Sequence, residues 1–241
     1  MAEKMHEGEL VVQEWKNSGT AWTNNKQFDE DGYLVLKNLW DPEELYYPLP
    51  SEKGQYTWWG KNLDQFTMNN EVEQQVEGSL ARYNHPQYRK IHSGIRFKLE
   101  EVIGRKLYNT YYYDRYYFPG QELTNHADRD ACEISVTVHI STTLEEKWPI
   151  WIKTPDVYED KNKTKLTSSG ENRSVILEAG DGMIYKGCER PHWRDRMPGT
   201  LQSSLALLNN QSIESLYYHQ IFFHYVLQDG ERAHCAWDQA R

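Results

Sequence analysis

The sequence has few cysteines and no long apolar run, and both absences limit what the protein can be. Its three cysteines, Cys132, Cys188 and Cys235, form no CxxC pair. An odd number at long spacings argues against a disulfide framework or a zinc knuckle and fits a reducing compartment. No apolar run is long enough to span a membrane, and residues 1–15 lack the apolar stretch of a secretory signal. We therefore expect a cytoplasmic protein.

Positively charged residues are outnumbered by negatively charged ones. The chain has 27 Lys and Arg residues against 36 Asp and Glu, a formal net charge of -9. Proteins that bind nucleic acid use clustered Lys and Arg, so we expect no nucleic-acid partner and no membrane partner. The acidic balance is typical of a soluble surface and would favour a cationic substrate. Hydrophobic residues make up 38% of the chain and aromatic residues 13%, enough for one core.

Strand patterns are abundant after residue 104. Residues Glu133 to Ile140 alternate polar and apolar side chains, as in a half-buried strand, and Tyr108 to Phe118 is dense in aromatic residues. Further predicted strands are Trp148–Ile152, Ser174–Leu177, Met183–Tyr185 and Tyr217–Leu227. Several antiparallel strands separated by turn residues predict a sandwich or barrel, here a jelly roll.

Residues 1–106 have sequence patterns that are more typical of helices and loops. A turn at Asp31 and Gly32 precedes a short predicted strand, Asp41 and Pro42 are typical of a helix start, and the surest helix runs from His85 to Arg105. We expect residues 41–106 to be mostly helix and loop. The predicted organisation is a single domain of residues 1–241, with N-terminal strand and helical support in 1–106 and a jelly-roll core in 107–241. Residues 153–173 and 198–216 are predicted as long loops, the second a candidate lid.

Chemistry is concentrated around Asn125-His126-Ala127-Asp128. On an extended segment, His126 and Asp128 point to the same face. His192, which follows a later predicted strand, is the candidate third ligand. Two histidines and one carboxylate on one face of an octahedron leave three open positions, as in the facial triad of non-haem Fe(II) oxygenases. The helical HExxH motif of zinc hydrolases is absent. Taken alone, His-x-Asp recurs by chance, and a solvent-facing loop is its ordinary alternative.

Longer segments around these residues resemble the 2-oxoglutarate/Fe(II)-dependent oxygenase superfamily. The stretch Phe28-Asp-Glu-Asp-Gly-Tyr-Leu-Val-Leu36 resembles an opening strand of many members. Tyr117-Phe-Pro-Gly120 followed by His126-Ala-Asp128 resembles the Y-x-P-G…HxD segment of prolyl-hydroxylase-like members. His126-Ala-Asp-Arg-Asp-Ala-Cys-Glu-Ile-Ser135 and Tyr185-Lys-Gly-Cys-Glu-Arg-Pro-His-Trp-Arg194 resemble a subgroup of small bacterial-type oxygenases.

The resemblance implies a double-stranded β-helix fold (jelly roll, cupin-like) and an iron site formed by His126, Asp128 and His192. It also implies Fe(II) as cofactor, 2-oxoglutarate and O₂ as co-substrates, and oxidative decarboxylation of 2-oxoglutarate to succinate and CO₂ coupled to hydroxylation of a C–H bond. Because Asp128 is present, hydroxylation is favoured over halogenation, for which related enzymes replace the carboxylate with a small residue.

The residue that binds the distal carboxylate of 2-oxoglutarate is less clearly marked. Superfamily members often carry Arg or Lys about ten residues after the distal histidine, where this sequence has Gln202, and the last strand has Gln220 instead. Arg194 is our first choice because it lies two residues after His192, and a surface ion pair with Asp195 is its alternative role. Arg196 and Arg115 are the other candidates, and Tyr117 is either a hydroxyl donor to the same carboxylate or a core residue.

The remaining polar residues support weaker interpretations. Arg129, Asp130 and Glu133 flank the His-x-Asp segment and are candidates to meet a polar substrate, although Glu133 is better explained by a structural hydrogen bond. The histidines on predicted strands, His139, His219 and His224, are interpreted as structural.

Three functions remain open from the sequence. The first is a hydroxylase of a small polar substrate such as a free amino acid. The second is a hydroxylase of a protein or peptide side chain. The third is a jelly-roll module that binds metal without catalysis. A closed pocket favours the first, an open groove the second, and a lack of succinate formation the third.

Overall fold

The computed structural model describes residues 26–46, 66–67, 75–76, 79–199 and 216–238. The helices of this part of the chain are α1 (Lys26–Asp31), α2 (Pro42–Leu45) and α3 (Arg89–Ile103), with short 3₁₀ turns at Pro86–Tyr88, Asp130–Cys132 and Ala233–Cys235. Asp41 caps α2 by accepting a hydrogen bond from the Glu43 backbone N–H at 2.9 Å. Gly104 ends α3 in the left-handed region, with φ of 68°.

Strands dominate the described residues. They are β1 (Tyr33–Leu36), β2 (Phe66–Thr67), β3 (Leu80–Tyr83), β4 (Leu107–Tyr117), β5 (Leu123–His126), β6 (Ile134–Thr142), β7 (Ile150–Lys153), β8 (Val157–Tyr158), β9 (Leu166–Ser168), β10 (Asn172–Val175), β11 (Gly182–Tyr185), β12 (His192–Arg194) and β13 (Tyr218–Leu227). Within the described ranges they form a seven-stranded sheet in the order β1-β11-β6-β13-β4-β3-β2, a four-stranded sheet in the order β10-β7-β12-β5, and the small pair β8-β9. Within the described ranges, all strand pairings are antiparallel.

The seven-stranded sheet is buried on both sides. Because side chains alternate along a strand, one set on β6 and β13 packs against α3: Val136, Val138, Ile140, Ile221, Phe223 and Tyr225 join Ile91, Ile95 and Leu99 in one core cluster. We call this the outer face. The alternate set, which includes Tyr111, Tyr113, Tyr117, Tyr218 and Phe222, faces the four-stranded sheet and is called the inner face. Two sheets packed face to face in this way are a jelly roll.

The four-stranded sheet has one side facing the interior and one side near solvent. Along β12, His192 and Arg194 are buried, whereas Trp193 between them is half-buried. Trp193 pairs in register with Trp151 of β7, and the two rings stack with centroids 6.0 Å apart and planes 7° apart. The alternation of β12 therefore sends a histidine and an arginine inward and a tryptophan pair outward.

The structure confirms the predicted jelly roll and corrects the prediction in two places. The segment 41–106, expected to be mostly helix and loop, also contains β2 and β3, which extend the seven-stranded sheet beyond β4. The predicted loop 153–173 contains the β8–β9 pair. Residues 200–215 of the other predicted loop, including Gln202, lie outside the described residues. None of the described helices is long and apolar enough to cross a lipid bilayer.

Candidate metal centre

Two strands that are distant in sequence bring the predicted ligands together. His126 is the last residue of β5 and His192 is the first residue of β12, and the two are direct partners in the antiparallel register of these strands. Their ring centroids are 4.4 Å apart. Asp128 follows β5 at once, and its backbone N–H donates to the Gly187 carbonyl at 2.9 Å. The sheet register therefore fixes the spacing of the two imidazoles, and the loop after β5 adds the carboxylate.

The ligand atoms point at one another. Oδ1 of Asp128 lies 3.5 Å from Nε2 of His126 and 3.6 Å from Nε2 of His192. One donor atom from each of the three residues lies within 4.8 Å of the other two. Donor atoms about 2.0–2.2 Å from a shared ion are separated by distances of this order, so the set can accept one divalent metal.

Both histidines are held in the tautomer that a metal requires. Nδ1 of His126 lies 2.8 Å from the Thr124 carbonyl, and Nδ1 of His192 lies 3.0 Å from the Arg190 carbonyl. A carbonyl oxygen can only accept, so each Nδ1 carries the proton and donates it. Nε2 of each ring is then left with a lone pair directed at the centre, the arrangement that backbone carbonyls commonly give to metal-binding histidines.

The protonation equilibria of the three groups reflect their mutual contact. Burial alone raises the pKa of Asp128, but the neighbouring His192 and His126 hold that pKa below its ordinary value. Burial lowers the pKa of His192. Burial also acts to lower the pKa of His126, yet the Asp128 carboxylate and the Thr124 carbonyl favour the protonated ring and raise that pKa above the usual value. Asp128 is therefore a carboxylate at neutral pH, the form that binds metals.

A buried arginine lies on the same strand as His192. Arg194 is 1% exposed, and its Nη1 donates to the Trp148 carbonyl at 2.6 Å. Its Nη2 donates to Gln220 Oε1 at 2.8 Å and to the Tyr218 hydroxyl at 3.3 Å. The guanidinium also lies over the rings of Trp148 and Tyr218, at 4.6 and 4.5 Å. These contacts are all with neutral groups. A buried arginine with only neutral partners is energetically unfavourable, so an anion that binds the guanidinium would be strongly stabilised.

The other predicted co-substrate residues divide into two groups. Arg115 and Tyr117 are fully buried neighbours on the inner face, where Arg115 Nη1 donates to the Tyr117 hydroxyl at 3.2 Å. Arg115 also donates to Gln75 Oε1 at 3.0 Å. Arg196, by contrast, has a side chain that is 77% exposed and pairs with Glu122 at 3.3 Å. The structure thus places Arg115 and Tyr117 inside, and places Arg196 at the surface, away from the buried guanidinium groups.

Gln75 links the inner face to the centre. Its Nε2 lies 2.8 Å from Nε2 of His126 while its Oε1 accepts from Arg115. Since Nε2 of His126 carries no proton, the amide of Gln75 is the donor. A metal ion bound by His126 would use the same lone pair and would displace this amide. No sequence motif marks Gln75, because two adjacent glutamines, Gln74 and Gln75, form no pattern that is typical of a binding site.

The remaining polar candidates have structural partners. Arg129 pairs with Asp238 at 2.6 Å, and Asp130 pairs with Arg232 at 2.9 Å. Glu133 accepts from the Leu227 backbone N–H at 2.8 Å, the structural hydrogen bond that we expected. His219 bonds Asp114 at 2.7 Å, and His139 Nδ1 lies 2.8 Å from the Leu177 carbonyl. The contacts of Glu133, His139 and His219 agree with the structural roles that the sequence predicts for them.

Neither a protein-family model nor a curated protein matches the sequence. Solved structures do match. An oxidoreductase of the 2OG-Fe(II) oxygenase family from Burkholderia pseudomallei is 9% identical, with 93% of this chain and 95% of that one covered and a TM-score of 0.53. AviO1 from Streptomyces viridochromogenes Tue57 is 13% identical, with 86% and 96% covered and a TM-score of 0.53. The epimerase SnoN, in complex with Fe³⁺, α-ketoglutarate and nogalamycin RO, is 10% identical, with 96% and 94% covered and a TM-score of 0.51.

These likenesses establish the fold. The chain has the double-stranded β-helix architecture of structures that include a member of the 2OG-Fe(II) oxygenase family, and the match extends over most of its length. In the SnoN complex this fold holds iron and α-ketoglutarate.

Proposed function

We propose that the chain is a 2-oxoglutarate- and Fe(II)-dependent oxygenase in which His126, Asp128 and His192 hold the iron. The observation that supports this most strongly is the convergence of two Nε2 atoms and one carboxylate oxygen within 4.8 Å on the interior side of the four-stranded sheet. Two imidazoles and one carboxylate leave open positions on an octahedral metal, which suits a metal that must bind two further reactants.

Arg194 supports 2-oxoglutarate as the co-substrate. Along β12 the Cα atoms of His192 and Arg194 are about 7 Å apart, and both side chains are buried. A five-carbon diacid is of similar length. It can chelate a metal through its 2-oxo acid end while its distal carboxylate reaches the guanidinium, whose planar donors match a carboxylate. Gln220 of β13, the strand on which the family often carries the cation, serves here as a hydrogen-bond acceptor for Arg194.

The chain's own residues have three tasks in this proposal. His126, Asp128 and His192 fix the metal, Arg194 neutralises the distal carboxylate, and the aromatic rings of the inner face exclude water. When bound, iron and 2-oxoglutarate supply the activation of O₂ that oxidises a C–H bond, with release of succinate and CO₂. Because strands from both predicted parts of the chain share the seven-stranded sheet, we further propose that residues 1–241 act as one oxygenase domain.

The substrate that we propose is a small polar molecule such as a free amino acid. The interior between the sheets is lined by buried polar and aromatic side chains, including Arg115 and Tyr117, which suits a molecule that must be desolvated and oriented by hydrogen bonds. A protein or peptide side chain remains the second candidate of this reaction class.

The test is succinate formation by the purified chain with Fe(II) and 2-oxoglutarate, across a panel of amino acids, other metabolites and peptides. We expect one class of substrate to stimulate succinate release and to gain one oxygen atom from ¹⁸O₂. His126→Ala and His192→Ala should abolish both signals, whereas Arg196→Ala, at an exposed position, should leave them intact. Metal binding without succinate release on any substrate would instead identify a non-catalytic metal-binding module.

A further inference from the structure

The two carboxylate oxygens of Asp128 have different surroundings. Oδ1 faces the metal-binding nitrogens, at 3.5 Å from His126 and 3.6 Å from His192. Oδ2 faces the other way and accepts a hydrogen bond from Ser135 Oγ at 3.0 Å. A carboxylate can bind a metal through one oxygen or through both. The surroundings of Oδ2 therefore decide how many coordination positions Asp128 uses.

Counting hydrogens gives the direction of the bonds behind Oδ2. Ser135 Oγ lies 3.0 Å from Asp128 Oδ2, 3.2 Å from the Cys132 carbonyl and 2.9 Å from His224 Nδ1. The carboxylate and the carbonyl can only accept, so the single serine proton is used towards them. His224 must then be the donor to the serine oxygen. A relay results in which His224 Nδ1–H donates to Ser135, and Ser135 donates to Asp128.

The relay is rigidly enclosed. Ser135 and His224 are partners in the register of β6 and β13 and are 0% and 2% exposed. The His224 ring packs on Tyr111 with centroids 4.6 Å apart, and its Nε2 has no hydrogen-bond partner among the described residues. Since one ring nitrogen is already used by the serine, the imidazole is oriented by packing and by this single bond. A buried polar atom left unbonded costs free energy, which suggests a role for the ring besides stability.

Glycine at position 187 makes room for the same oxygen. A Cβ built on Gly187 would overlap Asp128 Oδ2 and the Cys132 carbonyl and would lie 2.8 Å from Ser135 Oγ. The Gly187 carbonyl also accepts from the Asp128 backbone N–H at 2.9 Å. Oδ2 therefore occupies a space that exists only because residue 187 has no side chain.

We propose that Ser135, His224 and Gly187 form a carboxylate cage that holds Asp128 Oδ2 away from the metal and so keeps this ligand monodentate. The three are positioning residues, since they act through Asp128. This inference rests on the proposed function. An octahedral metal with three protein ligands has three positions left, two for a chelating 2-oxo acid and one for O₂. A bidentate Asp128 would remove one of the three.

The test counts water molecules on the metal. Mn(II) is added to the full-length chain without 2-oxoglutarate, and bound water is measured from the relaxation of solvent protons. Wild type should carry about three exchangeable waters. Ser135→Ala frees Oδ2 to coordinate, and we expect the bound-water contribution to fall by about one third with Mn(II) affinity retained or increased.

Matched variants distinguish the loss of metal-bound water from a general distortion of the fold. His224→Leu removes the donor to Ser135 and should reproduce the loss of water, whereas His224→Gln keeps an N–H donor and should restore the wild-type value. Ser141→Ala alters a serine on the same strand whose Oγ accepts from Tyr217, and it should change nothing. The two His224 variants change the donor to Ser135 and leave Ser135 itself unchanged. The test therefore does not depend on the folding of Ser135→Ala alone.

The outcomes distinguish the inference from the function on which it rests. If wild type binds Mn(II) through His126 but Ser135→Ala and His224→Leu keep three waters, the cage is wrong and the metal centre stands. If wild type does not bind Mn(II), or if His126→Ala leaves Mn(II) binding unchanged, the proposed function is wrong, and the carboxylate cage is wrong with it. A loss of water in Ser135→Ala and His224→Leu, reversed in His224→Gln, supports the cage.

Discussion

The two faces of the seven-stranded sheet are both buried, yet the part of the outer face that lies under α3 differs in chemistry from the inner face. The outer face is built from aliphatic and aromatic residues such as Val138 and Phe223, which pack under α3. The inner face carries Arg115, His139 and Gln220 at 0%, 5% and 0% exposure. Burying apolar surface stabilises a fold, whereas burying charge and hydrogen-bonding groups costs free energy unless each finds a partner. The apolar part of the outer face under α3 thus serves stability, whereas we assign the buried polar groups of the inner face to binding.

Removing a metal ligand, on the side of the four-stranded sheet that the inner face covers, should give the largest effect and should leave the outer face intact. We expect Asp128→Ala to weaken Mn(II) or Fe(II) binding at least about 100-fold, because two neutral imidazoles remain and the only anionic donor is lost. The fold should survive, since Asp128 lies after β5 and outside the outer-face core. Metal titration followed by far-UV circular dichroism measures both quantities. Wild-type metal affinity in Asp128→Ala would show that this carboxylate is no ligand.

A substitution on the outer face should do the reverse. Phe223→Ala leaves a cavity in the cluster under α3, and we expect a loss of about 3–5 kcal/mol in the free energy of unfolding. Ile221→Val on the same face is the mild control, with an expected loss of about 0.5–1.5 kcal/mol. Urea unfolding measures both. If the folded fraction of Phe223→Ala also loses its metal affinity, the two faces are more strongly coupled than we infer.

Arg194 allows the contrast to be tested within a single residue. We expect Arg194→Met to weaken 2-oxoglutarate binding about 10- to 100-fold, the effect of losing hydrogen bonds to a charged group. Without ligand, its thermal stability should equal or exceed that of wild type, because a buried cation with neutral partners is replaced by an apolar chain. Melting temperatures with and without 2-oxoglutarate, in the presence of Mn(II), give both values. Arg196→Met is the exposed control and should match wild type throughout.

Buried histidines should make the free energy of unfolding depend on pH. We expect the effect of each histidine to be smaller than the effects of the variants above. Burial lowers the pKa of His92 to about 3 and lowers the pKa values of His139 and His219 to about 4. In the unfolded chain these groups ionise near pH 6.5, so protons bind preferentially to the unfolded state between these values. Stability should therefore be complete above about pH 6.5 and decline as the pH falls towards about 4.

The expected size is roughly 1 kcal/mol per histidine by about pH 5.5. Unfolding in urea at about pH 7.5 and about pH 5.5 measures the change, and His139→Gln should reduce it by about one histidine's share. Equal stability of wild type at both pH values would mean that these rings are solvated or already charged in the folded protein.

Local patterns in the sequence were sufficient for most strands and for the identity of the three clustered residues. The alternation of residues 133–140 predicts β6 because one face of that strand is apolar, and the turn at Pro119-Gly120 separates β4 from β5. His126 and Asp128 could be paired from their spacing. Strand β3, Leu80–Tyr83, has no such alternation, and it is a strand because β4 offers it a free edge. Long-range pairing decided its structure.

The finer features of the site depend on registers that no local pattern contains. The pairing of His192 with His126, the contact of Arg194 with Gln220, and the bond between Ser135 and His224 each join strands that are far apart in sequence. The sequence predicts a structural role for His224, and its orientation towards Ser135 follows only from the register of β6 and β13. Spacing along the sequence can indicate which residues bind a metal. The residues that contact those ligands can be identified only once the strand pairing is known.

The stacked pair Trp151 and Trp193 gives the four-stranded sheet an optical signature. The rings are 6.0 Å apart and nearly parallel, and Trp193 stands between His192 and Arg194 on the same strand. Two indoles stacked at this separation couple their electronic transitions, so their ultraviolet spectrum should depend on how the two rings are stacked. That signal reports the alignment of β7 with β12 without any added label. Ligand binding at His192 and Arg194, on one side of β12, can therefore be followed through the absorption of the Trp151 and Trp193 pair on the other side.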